Sequence, residues 1–299
     1  MKAAPPSLKS LSRHQAVAAI RQRLSDASID TADEDARLLL RAATGITRLE
    51  LATEPQAALT PEQSLLLEQY VTRREAHEPV SRILGSRGFW TVDVLVRPNV
   101  LDPRPDTETL IETALSFFEN TPDAPLKILE LGSGSGAIAC ALLSELPKAE
   151  AIVVDLSPHA CQASKTNLAR CGLSNRAFVL QARWYEAIEA QFDLIVSNPP
   201  YVASSKLNTL AASVRLYDPL LALDGGEDGL DCYRAIIQDL PRMLKSRGLV
   251  IFELGYGQSA EVSLMLKAMN LEVEKIARDL AGHERALAAR APQRVQLAI

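Results

Sequence analysis

The sequence predicts an α/β fold with a mostly parallel sheet, preceded by a small helical domain and a linking β-hairpin. Three observations lead to this prediction. The first quarter of the chain carries apolar residues at helical spacing. A short segment with apolar residues at every second position follows it. From about Pro98, short apolar runs alternate with longer helical patterns, which is typical of a sheet covered by helices on both faces.

Residues 1–80 are predicted to form the helical domain. One apolar helix face is made of Val17, Ile20 and Leu24, and the stretch 36–40 marks a second helix. The segment 60–63, Thr-Pro-Glu-Gln, is a helix start, because a capping threonine precedes a proline and a glutamine completes the capping box. We expect that helix to run to about His77. Arg73 and Arg74 near its end either face solvent or dock a partner.

Residues 81–97 are predicted to form the linking hairpin. Within the segment 83–96, apolar residues recur at every second position from Trp90 to Val96, as in a half-buried strand. Gly85 and Gly88 lie just before the alternating stretch. The period therefore changes from helix to strand near Ile83.

Residues 98–299 are predicted to form one α/β domain with a seven-stranded sheet. Five strands are expected at 127–131, 151–155, 177–180, 192–196 and 248–254, and two edge strands at 271–276 and 285–290. Helices are expected between them, at 136–146, 158–171 and 230–245. Strands that alternate with helices in this way favour parallel pairing.

Composition restricts the classes of function. The chain has 299 residues, of which 47% are hydrophobic and 23% charged, so it can bury the cores of two domains. A net charge of -5 argues against a large nucleic-acid-binding surface, which is normally basic. The four cysteines and four histidines lack metal-type spacing, so we expect free thiols and no metal. Without a membrane span or signal peptide in the sequence, we expect the cytoplasm. We also expect a monomer, which needs no further assumption.

A glycine-rich turn follows the predicted strand 127–131 and opens the next helix. Its residues are Gly132, Ser133, Gly134, Ser135 and Gly136. Glycine lets a ligand approach the backbone more closely than other residues allow. A strand before such a turn and a helix after it are the context in which the pattern indicates a nucleotide-type cofactor.

Two acidic residues identify the cofactor class. Asp155 ends the next predicted strand, where a carboxylate can bind both hydroxyls of a ribose. Glu130 precedes the glycines, where it would repel the pyrophosphate of NAD but would suit the ammonium group of a methionine moiety. The pattern therefore favours S-adenosylmethionine over NAD. The simpler interpretation of Asp155 is a helix cap or a solvated strand end.

The segment Asn198-Pro199-Pro200-Tyr201 follows the predicted strand 192–196. The Asn198 carboxamide oxygen can accept a hydrogen bond from an NH2 group. The Pro199 carbonyl can accept a second, because successive prolines hold the chain extended, and Tyr201 can stack on a planar group. These features predict a site that holds an amide or amino nitrogen. The simpler interpretation is a strand followed by a proline-rich turn.

Together the motifs resemble those of the HemK-type release factor glutamine methyltransferases, over nearly the full length of the chain. The matching segments are 73–80, 88–90, Pro103-Arg104-Pro105-Asp106-Thr107-Glu108, 130–138, Asp155, Trp184, 198–201, 222–226 and 228–229. The resemblance implies a Rossmann-like class I methyltransferase domain with S-adenosylmethionine as methyl donor. The implied acceptor is the glutamine amide in the Gly-Gly-Gln motif of bacterial-type peptide chain release factors.

The resemblance also assigns roles to residues. It implies that 132–136 bind the methionine end, that Asp155 binds the ribose and that Trp184 flanks the adenine. Asn198 and Pro199 would hold the glutamine amide, with Pro200 and Tyr201 packed against it. Two positions depart from the family pattern, because Arg183 and Ser213 stand where acids are often found.

Three alternatives remain open from the sequence. The same acceptor motif occurs in enzymes that methylate adenine N6 in nucleic acids, which would need a basic surface and base flipping. A ribosomal-protein glutamine could be the acceptor, although the segment 103–108 usually differs in those enzymes. A non-catalytic binding module is the third alternative. Binding of S-adenosylmethionine distinguishes the enzymes from the module.

Overall fold

The computed structural model of the chain describes residues 8, 11–186 and 188–293. Within these residues the chain divides into two compact units. One contains the residues up to Gly85 together with Ala212–Tyr217. The other contains Ser86–Ala211 and the residues from Asp218 onward.

The first unit is helical, as the sequence predicts. Its helices are α1 (Arg13–Asp26), α2 (Ala32–Thr44), α3 (Arg48–Thr53), α4 (Pro61–Glu75) and α5 (Val80–Leu84), with a short helical turn at Ala212–Arg215. The predicted apolar faces of α1 and α2 lie in one buried cluster. Thr60 and Gln63 form the expected capping box at the start of α4. This helix ends at Glu75 rather than near His77, because His77 adopts a left-handed backbone with φ 64°.

The two arginines near the end of α4 each form an ion pair with an acidic side chain. The Arg74 Nε donates to Asp35 at 2.7 Å, and both side chains are buried. The Arg73 guanidinium pairs with Glu78 at 2.6 Å. Arg74 therefore neither faces solvent nor offers a free docking charge, because its guanidinium is held by Asp35 within the helical unit.

The hairpin consists of β1 (Ser86–Phe89) and β2 (Val92–Leu95), which pair antiparallel. It begins at Ser86, so the prediction of a period change near Ile83 is wrong by three residues. Ile83 belongs instead to α5, which lies between Pro79 at its N-cap and Gly85 at its C-cap. Gly85 has φ 80°, the left-handed conformation in which helices often end.

The predicted mostly parallel, seven-stranded sheet is confirmed within the described residues. Its strands are β3 (Lys127–Leu131), β4 (Glu150–Asp155), β5 (Ala177–Gln181), β6 (Phe192–Ser197), β7 (Leu244–Glu253), β8 (Glu272–Arg278) and β9 (Glu284–Arg290). Their order across the sheet is β5-β4-β3-β6-β7-β9-β8. The first five pair in parallel, and β9 pairs antiparallel with both β7 and β8.

Helices bury both faces of this sheet, in two apolar clusters. On one face lie α6 (Glu108–Phe118), α7 (Ala137–Glu145) and α8 (Pro158–Arg170). On the other lie α9 (Asp231–Ile237), α10 (Leu240–Met243) and α11 (Ser259–Ala268). The prediction of one continuous helix at 230–245 is wrong, because the segment contains two helices, α9 and α10, and the second ends at Met243. Pro241 has no N–H to continue the helix, and the chain enters β7 at Leu244, where it pairs with Phe192.

The strand order creates a crevice at the carboxyl ends of the central strands. From β3 the chain proceeds to β4 and β5 on one side, and then returns to β6 on the other. Ligands of open α/β sheets bind where the strand order reverses in this way. The glycine-rich turn after β3, Asp155 at the end of β4 and Asn198 after β6 all lie at this edge.

Candidate functional site

Neighbouring elements hold the glycine-rich turn after β3. The Gly132 N–H donates to the Val154 carbonyl at 2.9 Å, and the Asn167 side chain donates to the Ser135 carbonyl at 2.9 Å. The hydroxyls of Ser133 and Ser164 lie 3.0 Å apart. The turn is therefore anchored to β4 and α8, which leaves its backbone in a fixed shape before any ligand binds.

A cavity of about 260 Å³ opens beside this turn. The predicted site residues that line it are Gly132, Gly134, Asp155, Trp184, Asn198 and Pro200. A Cβ atom at Gly132 would lie 3.8 Å from both the Trp184 ring and the Asn198 carbonyl oxygen. A side chain at position 132 would thus fill the gap between Trp184 and Asn198, which a glycine leaves open.

A smaller cavity also borders the turn. Ser133 and Ser135 line it together with Thr107 and Phe89, and Gly132, Gly134 and Asn198 border both cavities. Asn198 therefore stands where the two cavities meet. Two ligands placed in the two cavities would approach each other at this residue.

Asp155 presents a carboxylate to the larger cavity. Its Oδ2 accepts from the Gly134 N–H and its Oδ1 from the Ser157 N–H, each at 2.8 Å. A carboxylate has about four lone-pair sites, so two remain for a ligand's hydroxyl groups. Burial raises the pKa of Asp155, against the hydrogen bonds from backbone N–H groups, which lower it. The simpler interpretation as a helix cap does not hold, because the Ser157 side chain caps α8.

Two other residues that are predicted to bind the cofactor, Glu130 and Gly136, line neither cavity. Glu130 is fully buried, and its Oε2 accepts from the Ala139 N–H at 3.0 Å. Its Oε1 has no hydrogen-bond partner within the described structure, and burial raises the pKa of Glu130 to about 8. A Cβ atom at Gly136 would come within 3.0 Å of Ser164, so Gly136 allows close packing of the turn on α8.

The acceptor loop, defined as Asn198–Tyr201, leaves the end of β6. The Asn198 Nδ2 donates to the Thr107 Oγ1 at 3.3 Å, so the carboxamide oxygen is the group available to a ligand. Tyr201 donates its hydroxyl to the Glu253 Oε1 at 3.3 Å, and burial raises the pKa of Tyr201. Pro199 and Tyr201 line neither cavity, and Tyr201 packs against the apolar cluster that includes α9.

Gly225, which follows the acceptor loop, allows close backbone packing against it. A Cβ atom at Gly225 would lie 2.8 Å from the Pro200 carbonyl oxygen and 2.9 Å from the Tyr201 Cα. The Gly225 N–H also donates to the Val202 carbonyl at 2.8 Å. On the opposite side, the Gln258 side chain donates to the Tyr201 carbonyl at 3.1 Å. The loop is thus enclosed by backbone that cannot easily move.

Gly225→Ala is expected to displace the acceptor loop. The new methyl group would overlap backbone atoms, so we expect a loss of about 1–3 kcal/mol in the free energy of unfolding. We also expect a larger loss of turnover than of cofactor affinity. Urea unfolding and cofactor titration measure the two effects. Gly88→Ala is the matched control, because a Cβ there has no neighbour within 4 Å. If both variants lowered stability and turnover equally, the close contact between Gly225 and the acceptor loop would be contradicted.

Sequence reasoning missed Thr107 and Glu253 as parts of the site. Thr107 lies in the segment 103–108, which the resemblance singles out without assigning it a contact. Glu253 ends the buried strand β7, as Asp155 ends β4. A carboxylate at the end of an apolar strand is therefore the sequence signal that could have found it.

Arg183 also lines the larger cavity, beside Trp184. Trp184 has φ 48°, a left-handed conformation that is uncommon for a large residue. A guanidinium has no acceptor for an amino group, so Arg183 does not replace the acid that the family often has there. Other polar lining residues of this cavity are Asn99, Ser157, Asp224, Asp231 and Cys232.

Two further findings concern metals and membranes. Among residues 8, 11–186 and 188–293, no three His, Cys, Asp or Glu side chains are grouped so that they could hold a metal ion. In the same part of the chain, no helix has the length and apolar character that crossing a bilayer requires.

Comparisons with known proteins agree with this arrangement. The family model of the PrmC N-terminal domain matches residues 15–85, and that of the methyltransferase small domain matches residues 108–218. A release factor glutamine methyltransferase of Caulobacter vibrioides is 41% identical over 268 residues, covering 89% of this chain and 92% of that protein. One of Rhodospirillum rubrum is 41% identical over 268 residues, covering 90% and 82%.

A solved structure shares the fold. The hMettl16 catalytic domain, in complex with MAT2A 3′UTR hairpin 6, gives a TM-score of 0.56 at 17% identity and covers 74% of this chain and 83% of that one. The predicted Rossmann-like class I methyltransferase fold is confirmed. The methyltransferase names of the matched family model and relatives agree with the predicted cofactor, S-adenosylmethionine. The identity with the two bacterial relatives spans both units, so the chain belongs to the family of release factor glutamine methyltransferases.

Proposed function

We propose that this chain transfers a methyl group from S-adenosylmethionine to the side-chain amide nitrogen of the glutamine in the Gly-Gly-Gln motif of peptide chain release factors. The observation that carries the proposal is the position of Asn198. It lies where the two cavities meet, and its amide nitrogen is already bound to Thr107. The remaining carboxamide oxygen suits a substrate that brings N–H donors.

The proposed acceptor site holds a primary amide by its two hydrogens. The Asn198 Oδ1 accepts one N–H and the Pro199 carbonyl accepts the other. Pro200 forms part of the wall of the larger cavity, and the Tyr201 hydroxyl anchors the end of the loop to Glu253. An amide nitrogen is a weak nucleophile because its lone pair is delocalised into the carbonyl. Two fixed acceptors favour positive charge on this nitrogen as the new bond forms, which is preorganised electrostatic stabilisation.

The larger cavity is the proposed cofactor site, and its residues fit this group. Asp155 would bind the ribose hydroxyls with its two remaining acceptor sites. Trp184 would flank the adenine, and the backbone at Gly132–Gly134 would approach the methionine end. Glu130, Ser133, Ser135 and Gly136 hold the turn in shape through α7 and α8. When bound, S-adenosylmethionine supplies an electrophilic methyl group.

The protein contributes position rather than a strong base. Holding the nucleophile and the electrophile in line about 3–3.5 Å apart can contribute roughly 7–11 kcal/mol to lowering the barrier. Asn198 borders both cavities, so its side chain would hold the acceptor nitrogen beside the cofactor site. The surplus proton on the nitrogen leaves after transfer, and we assign no side chain as its acceptor.

The partner in this proposal is a protein rather than a nucleic acid. The net charge of -5 suits a protein substrate better than a polyanion. We propose that residues 1–80 help to dock the release factor, that residues 81–97 link the two parts, and that residues 98–299 carry out the chemistry. The proposed enzyme acts as a monomer, in the cytoplasm where translation takes place.

Three acceptors tested in parallel distinguish the possible substrates. Labelled S-adenosylmethionine is incubated with a purified release factor, with the same factor carrying alanine for the motif glutamine, and with duplex DNA. We expect label on the intact factor alone. Label on DNA would point to adenine methylation, and equal label on both factors would place the methyl group on another residue. Either of these results would overturn the proposed acceptor.

A further inference from the structure

Glu253 lies next to the acceptor loop but outside both cavities. It is the last residue of β7, and its neighbour Phe252 pairs with Ser197, the residue before Asn198. The Glu253 side chain is only 1% exposed. Its Oε1 accepts the Tyr201 hydroxyl at 3.3 Å, whereas its Oε2 makes no hydrogen bond of standard geometry within the described residues. A buried carboxyl with one unused oxygen is costly unless it has a role.

Thr107 connects this carboxyl to Asn198. Its Oγ1 accepts a hydrogen bond from the Asn198 Nδ2, so its own proton must be donated elsewhere. Thr107 is buried, and its hydroxyl lowers the pKa of the Glu253 carboxyl. A rotation of that hydroxyl towards Glu253 would extend the hydrogen-bond chain from Asn198 through Thr107 to the carboxylate.

The charge of Glu253 determines the direction of this chain. A carboxylate can only accept, so Thr107 donates to it and in turn accepts from the Asn198 NH2 group. The Asn198 oxygen then faces the acceptor site. A protonated carboxyl can instead donate to Thr107. Thr107 could then donate to the Asn198 oxygen, which would turn the Asn198 NH2 group towards a substrate that is itself an NH2 group.

We infer that Glu253 is a positioning residue for methyl transfer. In its carboxylate form, it makes Asn198 present its oxygen to the substrate and holds Tyr201 at the end of the acceptor loop. This inference rests on the proposed function, because it concerns the orientation of the group that would bind the substrate amide. Glu253 acts through Thr107 and Tyr201 and does not itself touch the substrate.

The surroundings of Glu253 place its titration near neutral pH. Burial raises the pKa of Glu253 to about 7, whereas Thr107, Arg285 and Tyr201 lower it and Asp106 raises it. Tyr233 on α9 donates to the Glu253 backbone carbonyl at 2.7 Å. Arg285 on β9 is held by Asp279 at 3.1 Å. Because the carboxylate is the form that orients Asn198, kcat is expected to fall as the pH drops below about 7.

The experiment compares Glu253→Gln and Thr107→Val with the wild-type enzyme, using release factor and S-adenosylmethionine. We expect both variants to lower kcat by roughly 100-fold, the size of effect that a small misplacement of a reacting group can have. Affinity for S-adenosylmethionine, measured by calorimetry, should stay within about threefold of wild type, since neither group binds the cofactor. The fall in kcat near pH 7 should disappear in Glu253→Gln. The double variant should be no slower than either single one, because both break one chain.

Two control variants separate positioning from folding. Thr107→Ser keeps the hydroxyl and should recover most of the activity. Thr113→Val removes a buried hydroxyl that donates to the Thr109 carbonyl at 2.7 Å, and should leave kcat unchanged. A wild-type kcat in Glu253→Gln, or an unchanged pH profile, would overturn the inference. Failure of the wild-type enzyme itself to methylate the factor would instead overturn the proposed function.

Discussion

Asn198→Ala is expected to lower methyl transfer by roughly 10²–10³-fold, the range typical for removal of one preorganised group at a reacting centre. The Asn198 carboxamide is held by Thr107 and borders both cavities, and its replacement by alanine removes the oxygen that would accept the substrate N–H. Affinity for S-adenosylmethionine should change little, because in our proposal the side chain holds the acceptor. Single-turnover transfer to a release factor measures the chemical step, and calorimetry measures the binding of the cofactor.

Asn120→Ala is the matched control for this variant. Asn120 is exposed in the turn after α6, so its replacement removes the same group from a place without chemistry. Unfolding curves of both variants should resemble that of the wild type. Transfer by a folded Asn198→Ala enzyme at the rate of the control would rule out Asn198 as the group that holds the amide.

Asp155→Ala is expected to have the second largest effect, a loss of roughly 100-fold or more in cofactor affinity. Two hydrogen bonds from ribose hydroxyls to a carboxylate are worth about 1.5–3 kcal/mol each, and each 1.4 kcal/mol is a factor of ten. The same carboxylate holds the Gly134 and Ser157 N–H groups, so the glycine-rich turn would also lose its support. Calorimetric titration with S-adenosylmethionine measures the loss directly.

Asp155→Asn separates the contribution of the negative charge from that of the acceptor oxygens. The amide keeps one acceptor oxygen but loses the charge, so we expect an affinity between those of the wild type and Asp155→Ala. Asp123→Ala, at an exposed position, serves as the control and should bind like the wild type. If Asp155→Ala bound the cofactor with wild-type affinity, the larger cavity would not be the ribose site.

Much of the fold could be predicted because its local signals agree with its tertiary structure. The strand at 127–131 is predicted to the residue, since a short apolar run before a glycine-rich turn has no competing interpretation. The helix predicted at 230–245 is interrupted between Ile237 and Leu240, just before Pro241, and pairing with β6 extends β7 back to Leu244. Sequence periodicity does not show such pairing, because its partner is about fifty residues away.

The candidate site could be predicted only where its residues follow strands. Asp155 and Asn198 come at strand ends, so their meeting at one edge of the sheet follows from parallel pairing. Thr107 and Glu253 reach the acceptor loop through contacts that no spacing encodes. Arg74 shows the converse error, since a charge at the end of a helix suggests a surface but is buried here against Asp35.

The most direct test of the proposed reaction is tandem mass spectrometry of a release factor after incubation with the enzyme and S-adenosylmethionine. We predict a single added methyl group on the fragment that contains the Gly-Gly-Gln motif, located on the side-chain amide of its glutamine. The Asn198→Ala enzyme should give the unmodified fragment under the same conditions. A methyl group on any other residue, or an unmodified factor after incubation with an enzyme that binds the cofactor, would contradict the proposal.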